Sequence, residues 1–388
     1  MALREVSIIG VGCTPFTQLE GETLKSMATA ACLEAIKDAG IERNMVEAFY
    51  VGNVLSGMLL GQVTIAPLIV NSLGLNRDIP STSVEGACGS SSLALREGYM
   101  QVATGLCDIV LVAGVEKLTG FPTEKLTQSM TGSLDHEIDG VTGLTFPGFW
   151  GLIAMRHMYE HGTTIEQMAM VSVKNHDNSV LNPRARFRNK VDLDTVMNSR
   201  LIASPLKLYD CCPISDGASA AILCPAEMAK DYTNKPIDII GIAQTTGYAS
   251  LQDQPKQTYL PATVSSAKKA FEMAGLQASD IDVAELHDCF TPAEIVDSED
   301  LGFFEKGKGG QAVEEGLTRV EGKIPINPSG GLLAKGHPVG ATGIGQVYEI
   351  VRQLQGEHEN QVKGAEIGLT HNAGGSGSVC TVTILRRR

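Results

Sequence analysis

The chain carries one strand–helix–turn–strand pattern twice. The first copy has a short β-branched strand at 6–12 (VSIIGVG) and an amphipathic helix pattern at 23–41. The second copy has IDIIGIA at 237–243 and a helix pattern at 263–276. In both copies an acidic turn and another short strand come next. Because strands alternating with helices are typical of α/β folds, we expect two βα-rich halves related by duplication.

A longer segment separates the two copies. The pattern predicts an N-terminal core half at 1–116 and a C-terminal core half at 236–388. A loop or lid domain is expected at 117–200, with part of 200–235 returning to the first half. No low-complexity linker divides these parts, so we expect one compact unit of the α/β class.

Composition excludes several classes of protein. The 388 residues contain 31 basic and 44 acidic side chains, for a net charge of -13, which argues against a nucleic-acid partner. The nine cysteines include no CxxC pair, so no metal site is predicted. Their odd number argues against a disulfide framework. The amino terminus does not resemble a secretion signal, so a cytoplasmic, reducing setting is expected.

The segment 48–76 contains no charged side chain. A membrane span needs about 20 mostly apolar residues, and polar residues, a proline and several glycines interrupt this one. A strand, a loop and a buried helix fit the pattern better, so we expect no membrane role. Such an uncharged surface is suited to being covered by a partner subunit.

Cys88 is the first candidate for chemistry. It lies in GACGSS, among small residues and just before a predicted helix. Unpaired N–H groups and the positive end of the helix dipole favour a thiolate at such a place. Most cysteines are nevertheless structural and buried. The segment by itself leaves a nucleophile and a structural cysteine equally open.

His337 is the second candidate. It lies between glycines in GGLLAKGHPVGATG, on a turn that opens another helix. A histidine so placed can accept a proton from a thiol and donate a hydrogen bond to an oxyanion. It could also simply satisfy turn carbonyls. The lysine pattern of a phosphate-binding loop is absent from this segment.

Two further strand ends carry polar side chains. ELHDCF places His287 and Cys289 two residues apart, on the same side of an extended chain. LTHNAGG places His371 and Asn372 where a strand runs into glycines. Because four such turns occur at corresponding strand ends of a duplicated fold, we expect them to form one site.

These motifs together resemble those of the thiolase family, over residues 5–386. GACGSS matches the nucleophile motif, GHPVGATG the histidine motif, and HDCF the motif that reads NEAF in degradative and biosynthetic thiolases. HDCF together with HNAGG, in place of the usual CxG motif, is similar to the sterol-carrier-protein-type and archaeal branch.

The resemblance implies a duplicated five-layer αβαβα thiolase fold with an inserted loop domain. It also implies an acyltransferase that reversibly cleaves, or forms by Claisen condensation, a 3-oxoacyl-CoA. Cys88 would form the acyl-enzyme and His337 would activate it, with His287 supporting an oxyanion hole. No cofactor would be tightly bound, and coenzyme A would be a substrate.

Other site residues follow from the same resemblance. Cys289 would be the acid and base, because His371 stands where the CxG cysteine usually does; a thiol pKa near 8.5, tunable downward, suits that role. Backbone N–H groups of Cys88 and of the turn from His371 to Gly374 would form a second oxyanion hole, with His371 either lining it or positioning Asn372.

The candidate contacts for coenzyme A lie in two further segments. Arg184, Arg186 and Arg188 form a basic cluster that could meet a phosphate, or be a solvated surface cluster. Ser265 and Ser266 lie near where the family contacts the pantetheine arm.

Acetoacetyl-CoA is the default substrate by resemblance, with bulkier aryl or dicarboxylic 3-oxoacyl-CoAs as alternatives. A ketoacyl-synthase-like condensing enzyme and an inactive acyl-CoA-binding scaffold are the other functions considered. The family implies a homodimer or a dimer of dimers, and this branch implies a small zinc-ribbon/OB-fold partner subunit.

Overall fold

A computed structural model describes residues 3–388. The strands are β1 (Val6–Cys13), β2 (Ala48–Gly52), β3 (Ser81–Val84), β4 (Val110–Glu116), β5 (Leu201–Ala203), β6 (Leu206–Lys207), β7 (Gly217–Pro225), β8 (Ile237–Thr246), β9 (Val283–Glu285), β10 (Ile367–Gly374) and β11 (Val379–Arg387). The helices are α1 (Leu24–Asp38), α2 (Ser56–Leu59), α3 (Ile65–Leu73), α4 (Ser90–Thr104), α5 (Thr123–Thr131), α6 (Phe146–His161), α7 (Ile165–Ser179), α8 (Leu193–Met197), α9 (Pro261–Ala274), α10 (Thr291–Asp300), α11 (Gly309–Glu314) and α12 (Thr342–Gln355).

The strand order shows the duplication directly. A nine-stranded sheet runs β3-β2-β4-β7-β1-β8-β11-β10-β9. Outward from the antiparallel β1–β8 pair, the sequence β1, β7, β4, β2 is matched by β8, β11, β10, β9. The pairing directions match as well, because β2–β4 and β9–β10 are both parallel while the intervening pairs are antiparallel. The two halves are therefore related by an approximate twofold axis at the β1–β8 pair.

The helices form three layers around these strands. Helix α1 packs on β1, β4 and β7, and α9 packs on β8 and β11. Helices α4 and α12 contact each other in the middle, with α4 on β2 and β4 and α12 on β7 and β10. Separate hydrophobic clusters fill the spaces on the outer and inner sides of the strands. The predicted five-layer α/β arrangement is confirmed.

A close backbone approach connects the first half to the second at the middle layer. A Cβ on Gly114, in β4, would lie 2.4 Å from the carbonyl oxygen of Gly340 and 2.5 Å from the Cβ of Ser91. Only glycine fits there, because those distances are far below van der Waals contact. The turn that follows β3 and the turn that precedes α12 therefore meet across β4.

The uncharged segment 48–76 forms β2, the short helix α2 and helix α3. The expected strand, loop and buried helix are therefore confirmed. Within residues 3–388, no helix combines the length and the apolar character needed to cross a membrane.

Between β4 and β7 the chain forms α5–α8 and the small β5–β6 hairpin. Helix α7 packs on α10 and α11, which belong to the C-terminal half of the chain. Strand β7 lies between β4 and β1 in the large sheet. The division into 1–116, 117–200 and 236–388 stays a prediction.

Candidate active site

Cys88 lies in a strained turn between β3 and α4. The single turn Ala87–Gly89 is a 3₁₀ helix, and Ala87 has a φ of 49°, in the left-handed region. Such a conformation costs a non-glycine residue roughly 1–3 kcal/mol and is concentrated at functional sites. The carboxylate of Glu85 accepts the N–H of Ala87 at 2.7 Å and helps to hold the turn. The predicted position of Cys88 just before a helix is confirmed.

The expectation that the helix N-terminus keeps Cys88 as a thiolate is wrong. The side chain of Cys88 is half-buried, and desolvation raises the pKa of its thiol to about 12; the hydrogen bond from the backbone N–H of Gly375 lowers it only in part. Removal from water outweighs the helix dipole, because a buried thiolate loses its solvation. The resting side chain is therefore a neutral thiol that requires a base.

His337 is oriented to be that base. Its Nδ1 lies 2.7 Å from Oγ1 of Thr342, and this hydroxyl donates its own proton to the carbonyl of Pro338 at 3.2 Å. Nδ1 must therefore carry a proton and donate it to Thr342, which leaves Nε2 as a bare acceptor. Burial, and then the neighbouring His287, hold the pKa of His337 well below its usual range.

His287 has the complementary tautomer. Its Nδ1 lies 2.8 Å from the amide nitrogen of Asn372, a donor, so Nδ1 accepts and Nε2 carries the proton. Oδ1 of Asn372 accepts the hydroxyl of Ser92 at 3.0 Å, which is consistent with this amide orientation. Burial lowers the pKa of His287 to about 3.

The two imidazoles meet edge to face beside the thiol. Their ring centroids are 5.0 Å apart with an interplanar angle of 81°, and one nitrogen of each ring and Sγ of Cys88 lie within 4.8 Å of one another. These are metal-ligand types, but the hydrogen bond from Asn372 leaves Nε2 of His287 protonated, as a donor and not a ligand. The site thus combines a thiol, a base and a hydrogen-bond donor.

Cys289 lies in the same cavity, as the HDCF spacing predicted. Cys212 also lines it, and its N–H donates to the carbonyl of Cys289 at 3.0 Å. Burial raises the pKa of both thiols well above the usual range, so the downward tuning expected for Cys289 is wrong for the resting site. Sequence reasoning missed Cys212, which lies in the segment DCCPISDG.

His371 lies outside this cavity. The residues from His371 to Gly374 belong to β10, and the turn begins at Gly375, so the turn was predicted four residues too early. Alternation along β10 directs Asn372 to His287 and His371 to the opposite face. There the fully buried His371 places Nε2 3.0 Å from Oγ1 of Thr263. Gly375, which sequence reasoning did not single out, contacts Cys88 instead.

Apolar side chains form the rest of the cavity wall. The cavity has a volume of about 80 Å³. Aromatic rings contribute much of the surface, and the Trp150 and Phe290 centroids are 6.4 Å apart. The principal apolar wall residues are Leu55, Met130, Phe146, Trp150, Leu260 and Phe290. Within residues 3–388 no lysine or arginine lines it.

The structure does not bring the candidate coenzyme A residues to this cavity. Arg184 forms an ion pair with Glu34 at 2.6 Å and hydrogen-bonds the Tyr348 hydroxyl at 2.8 Å, so its guanidinium is bound within the fold. Arg186 lies over the ring of Phe187, and Arg188 is exposed.

The two candidate serines do not line the cavity either. Ser265 is exposed on α9. Ser266 is buried, and its hydroxyl donates to the carbonyl of Cys380 at 3.0 Å. The sequence predicted helix α9 correctly but could not show that Arg184 and Ser266 are engaged by partners within the fold.

Comparison with known proteins agrees with this geometry. Residues 6–227 match the model of the thiolase N-terminal domain, and residues 243–387 match that of the thiolase C-terminal domain-like family. The chain is 51% identical over 386 residues to an acetyl-CoA acetyltransferase of Methanothermobacter thermautotrophicus, covering 99% of this chain and 100% of that protein. It is 35% identical to the benzoylsuccinyl-CoA thiolase subunit BbsB of Thauera aromatica, covering 96% and 95%.

Solved structures show the same fold. An Ltp2-ChsH2(DUF35) aldolase chain superposes with a TM-score of 0.85 at 26% identity, covering 99% of this chain and 98% of that one. Human mitochondrial 3-ketoacyl-CoA thiolase in complex with CoA has a TM-score of 0.77 at 19% identity, covering 100% and 99%. With both family domains and near-complete relatives matched, the chain belongs to the thiolase family of acyltransferases.

Proposed function

We propose that this protein catalyses the reversible, CoA-dependent cleavage of a 3-oxoacyl-CoA through an acyl-enzyme on Cys88. The observation that supports this most strongly is the pairing of tautomers beside the thiol. His337 presents a bare Nε2 and His287 a protonated one, so a base and an oxyanion donor meet at Sγ of Cys88.

The first half of the reaction begins with proton transfer from the Cys88 thiol to Nε2 of His337. The thiolate attacks the keto carbon, and the backbone N–H groups of Cys88 and Gly375, which lie nearest the sulfur, stabilise the new oxyanion. Collapse forms the Cys88 thioester and breaks the carbon–carbon bond. The electron pair moves to the departing enolate, whose oxygen accepts hydrogen bonds from the Nε2–H groups of His287 and protonated His337.

Cys289 completes the proton balance. Its thiol protonates the enolate carbon to give the shorter acyl-CoA, and the resulting thiolate then accepts the proton of incoming CoA. The CoA thiolate attacks the Cys88 thioester and releases the second acyl-CoA, and the departing Cys88 thiolate takes its proton back from Nε2 of His337. Burial favours this role, because a thiol with a raised pKa stays protonated until the enolate arrives.

The substrate is proposed to be acetoacetyl-CoA or a larger uncharged homologue. The wall of aromatic and aliphatic side chains suits an alkyl or aryl group. The dicarboxylic alternative loses its support, since Arg184, Arg186 and Arg188 do not line the cavity. The name of the Methanothermobacter relative supports acetyl transfer.

Two partners are proposed as well. A second copy would cover exposed apolar side chains of the uncharged segment, where Met58 and Val63 are 51% and 67% exposed. A zinc-ribbon/OB-fold subunit would help to hold coenzyme A. The aldolase whose name includes a DUF35 component supports this second proposal.

Cys88→Ala tests the central proposal. Wild-type protein should consume acetoacetyl-CoA when CoA is added. The decrease in the absorbance of the 3-oxoacyl-CoA measures this consumption. Intact mass measurement should show one acetyl group on the wild type and none on Cys88→Ala, because the nucleophile is removed. Cys107→Ala, at a thiol outside the cavity, is the matched control and should still be acetylated. A wild type that cleaves no 3-oxoacyl-CoA, with or without a zinc-ribbon subunit, contradicts the proposal.

Cys289→Ala should separate acylation from turnover. The variant should still form the Cys88 acyl-enzyme from acetyl-CoA, but cleavage should slow by about 100-fold or more, since general acid–base catalysis contributes factors of this size. Cys212→Ala, in the same wall, should retain most of the activity. If Cys289→Ala is fast and Cys212→Ala is slow, the acid and base is Cys212.

The raised pKa of Cys88 predicts how its reactivity depends on pH. Alkylation by iodoacetamide requires the thiolate, whose fraction rises with pH up to a pKa of about 12. The alkylation rate of Cys88, followed by peptide mass spectrometry, should therefore keep rising between about pH 7 and about pH 9. An alkylation rate that already reaches its plateau below about pH 7 would instead show a preformed thiolate–imidazolium pair.

The apolar wall predicts discrimination against charge. A 3-oxoacyl-CoA ending in a carboxylate should have a kcat/KM at least about 100-fold below that of a neutral substrate of equal length, because an unpaired buried charge costs several kcal/mol. Met130→Arg should reduce the difference in kcat/KM between the charged and the neutral substrate, whereas Met130→Leu should leave this difference unchanged. Equal rates for both substrates in the wild type would contradict the proposed substrate class.

A further inference from the structure

Asp288 follows His287 in the chain but does not line the cavity. Its carboxylate is fully buried and lies against the turn 331–335, which leads to His337. Oδ1 accepts the backbone N–H of Leu332 at 2.7 Å, and Oδ2 accepts that of Leu333 at 3.3 Å. One side chain of the HDCF segment thus binds two N–H groups of the turn that ends two residues before His337.

The turn packs directly on this carboxylate. Gly331 has a φ of 59°, and a Cβ at that position would lie 2.2 Å from Oδ2 of Asp288. Backbone and carboxylate are therefore in contact with no side chain between them. A displacement of either segment must move the other.

Helix α7 holds the carboxylate from the other side through Asn175, which Glu294 of α10 holds in turn. Asn175 donates through Nδ2 to Oδ2 of Asp288 at 2.7 Å and to Glu294 at 3.0 Å. Lys174 forms an ion pair with Glu294 at 2.6 Å. Because the group is buried and fully engaged, its position is determined by the fold and not by solvent.

We propose that Asp288 is a positioning residue that sets the distance between His287 and His337. Its two backbone hydrogen bonds join the segment 287–289, which carries His287, to the turn 331–335, which ends two residues before His337; the two rings are 5.0 Å apart. The inference rests on the proposed function, since it assigns Asp288 a part in the same reaction.

Asp288→Asn tests this inference. The amide has one acceptor oxygen, so it cannot accept all three donors and would turn its NH₂ toward one of them. With acetoacetyl-CoA and CoA, kcat should fall by about 10- to 100-fold, because small displacements of catalytic groups have effects of this size, while KM changes by less than about threefold. Alkylation of Cys88 by iodoacetamide should slow as well, which reports the geometry without any 3-oxoacyl-CoA.

Asp216→Asn is the matched control. Asp216 is also fully buried, and its Oδ1 accepts the backbone N–H groups of Leu118 and Thr119, both at 2.8 Å. It does not line the cavity. This variant should lower the thermal unfolding midpoint yet keep kcat within about twofold of the wild type, because only stability is affected.

The inference is overturned if the Asp288→Asn variant folds and has both a normal kcat and a normal rate of Cys88 alkylation. If this variant does not fold, Gly331→Ala decides instead, since its Cβ would displace the turn from the carboxylate; it should show the same selective loss of kcat, and a normal kcat overturns the inference. A wild type without 3-oxoacyl-CoA cleavage would contradict the proposed function, whereas the alkylation rates would still report the role of Asp288.

Discussion

The antiparallel pairing of β1 with β8 is the interaction on which the rest of the architecture depends. Val6 faces Ile239 and Ser7 faces Asp238 across this pair, and the hydroxyl of Ser7 also donates to the Asp238 carboxylate at 2.5 Å. Because the pair lies at the centre of the strand order, it relates the two halves by a twofold axis. Corresponding helices α4 and α12 then meet in the middle layer, and the turns before them meet too.

Burial governs the chemistry of the site that results. Removal from water raises the pKa of Cys88 and lowers those of His287 and His337, so the resting groups are all neutral. Neutral groups still have distinct roles, because hydrogen bonds fix the tautomer of each ring. Asn372 donates to His287, and His337 donates to Thr342. The protein thus separates donor from acceptor by hydrogen bonding and not by charge.

Much of the fold and part of the site could be predicted from the sequence. The repeated strand and helix patterns indicated the duplication, and the HDCF spacing placed His287 and Cys289 in one cavity. The roles of remote residues could not be predicted, since nothing in the pattern RARFR shows that Glu34 and Tyr348 bind Arg184. Cys212 and Gly375 were missed for the same reason, because each reaches Cys88 or Cys289 through tertiary contacts alone.

The sequence by itself determined the α/β halves, the small residues around Cys88 and the family to which the motifs point, because periodicity and spacing are local properties. Only the tertiary structure decided which thiols and imidazoles share a cavity, that the cavity wall is apolar, and that its thiol is protonated at rest. Those properties depend on desolvation and on partners distant in the chain, and no local pattern encodes either.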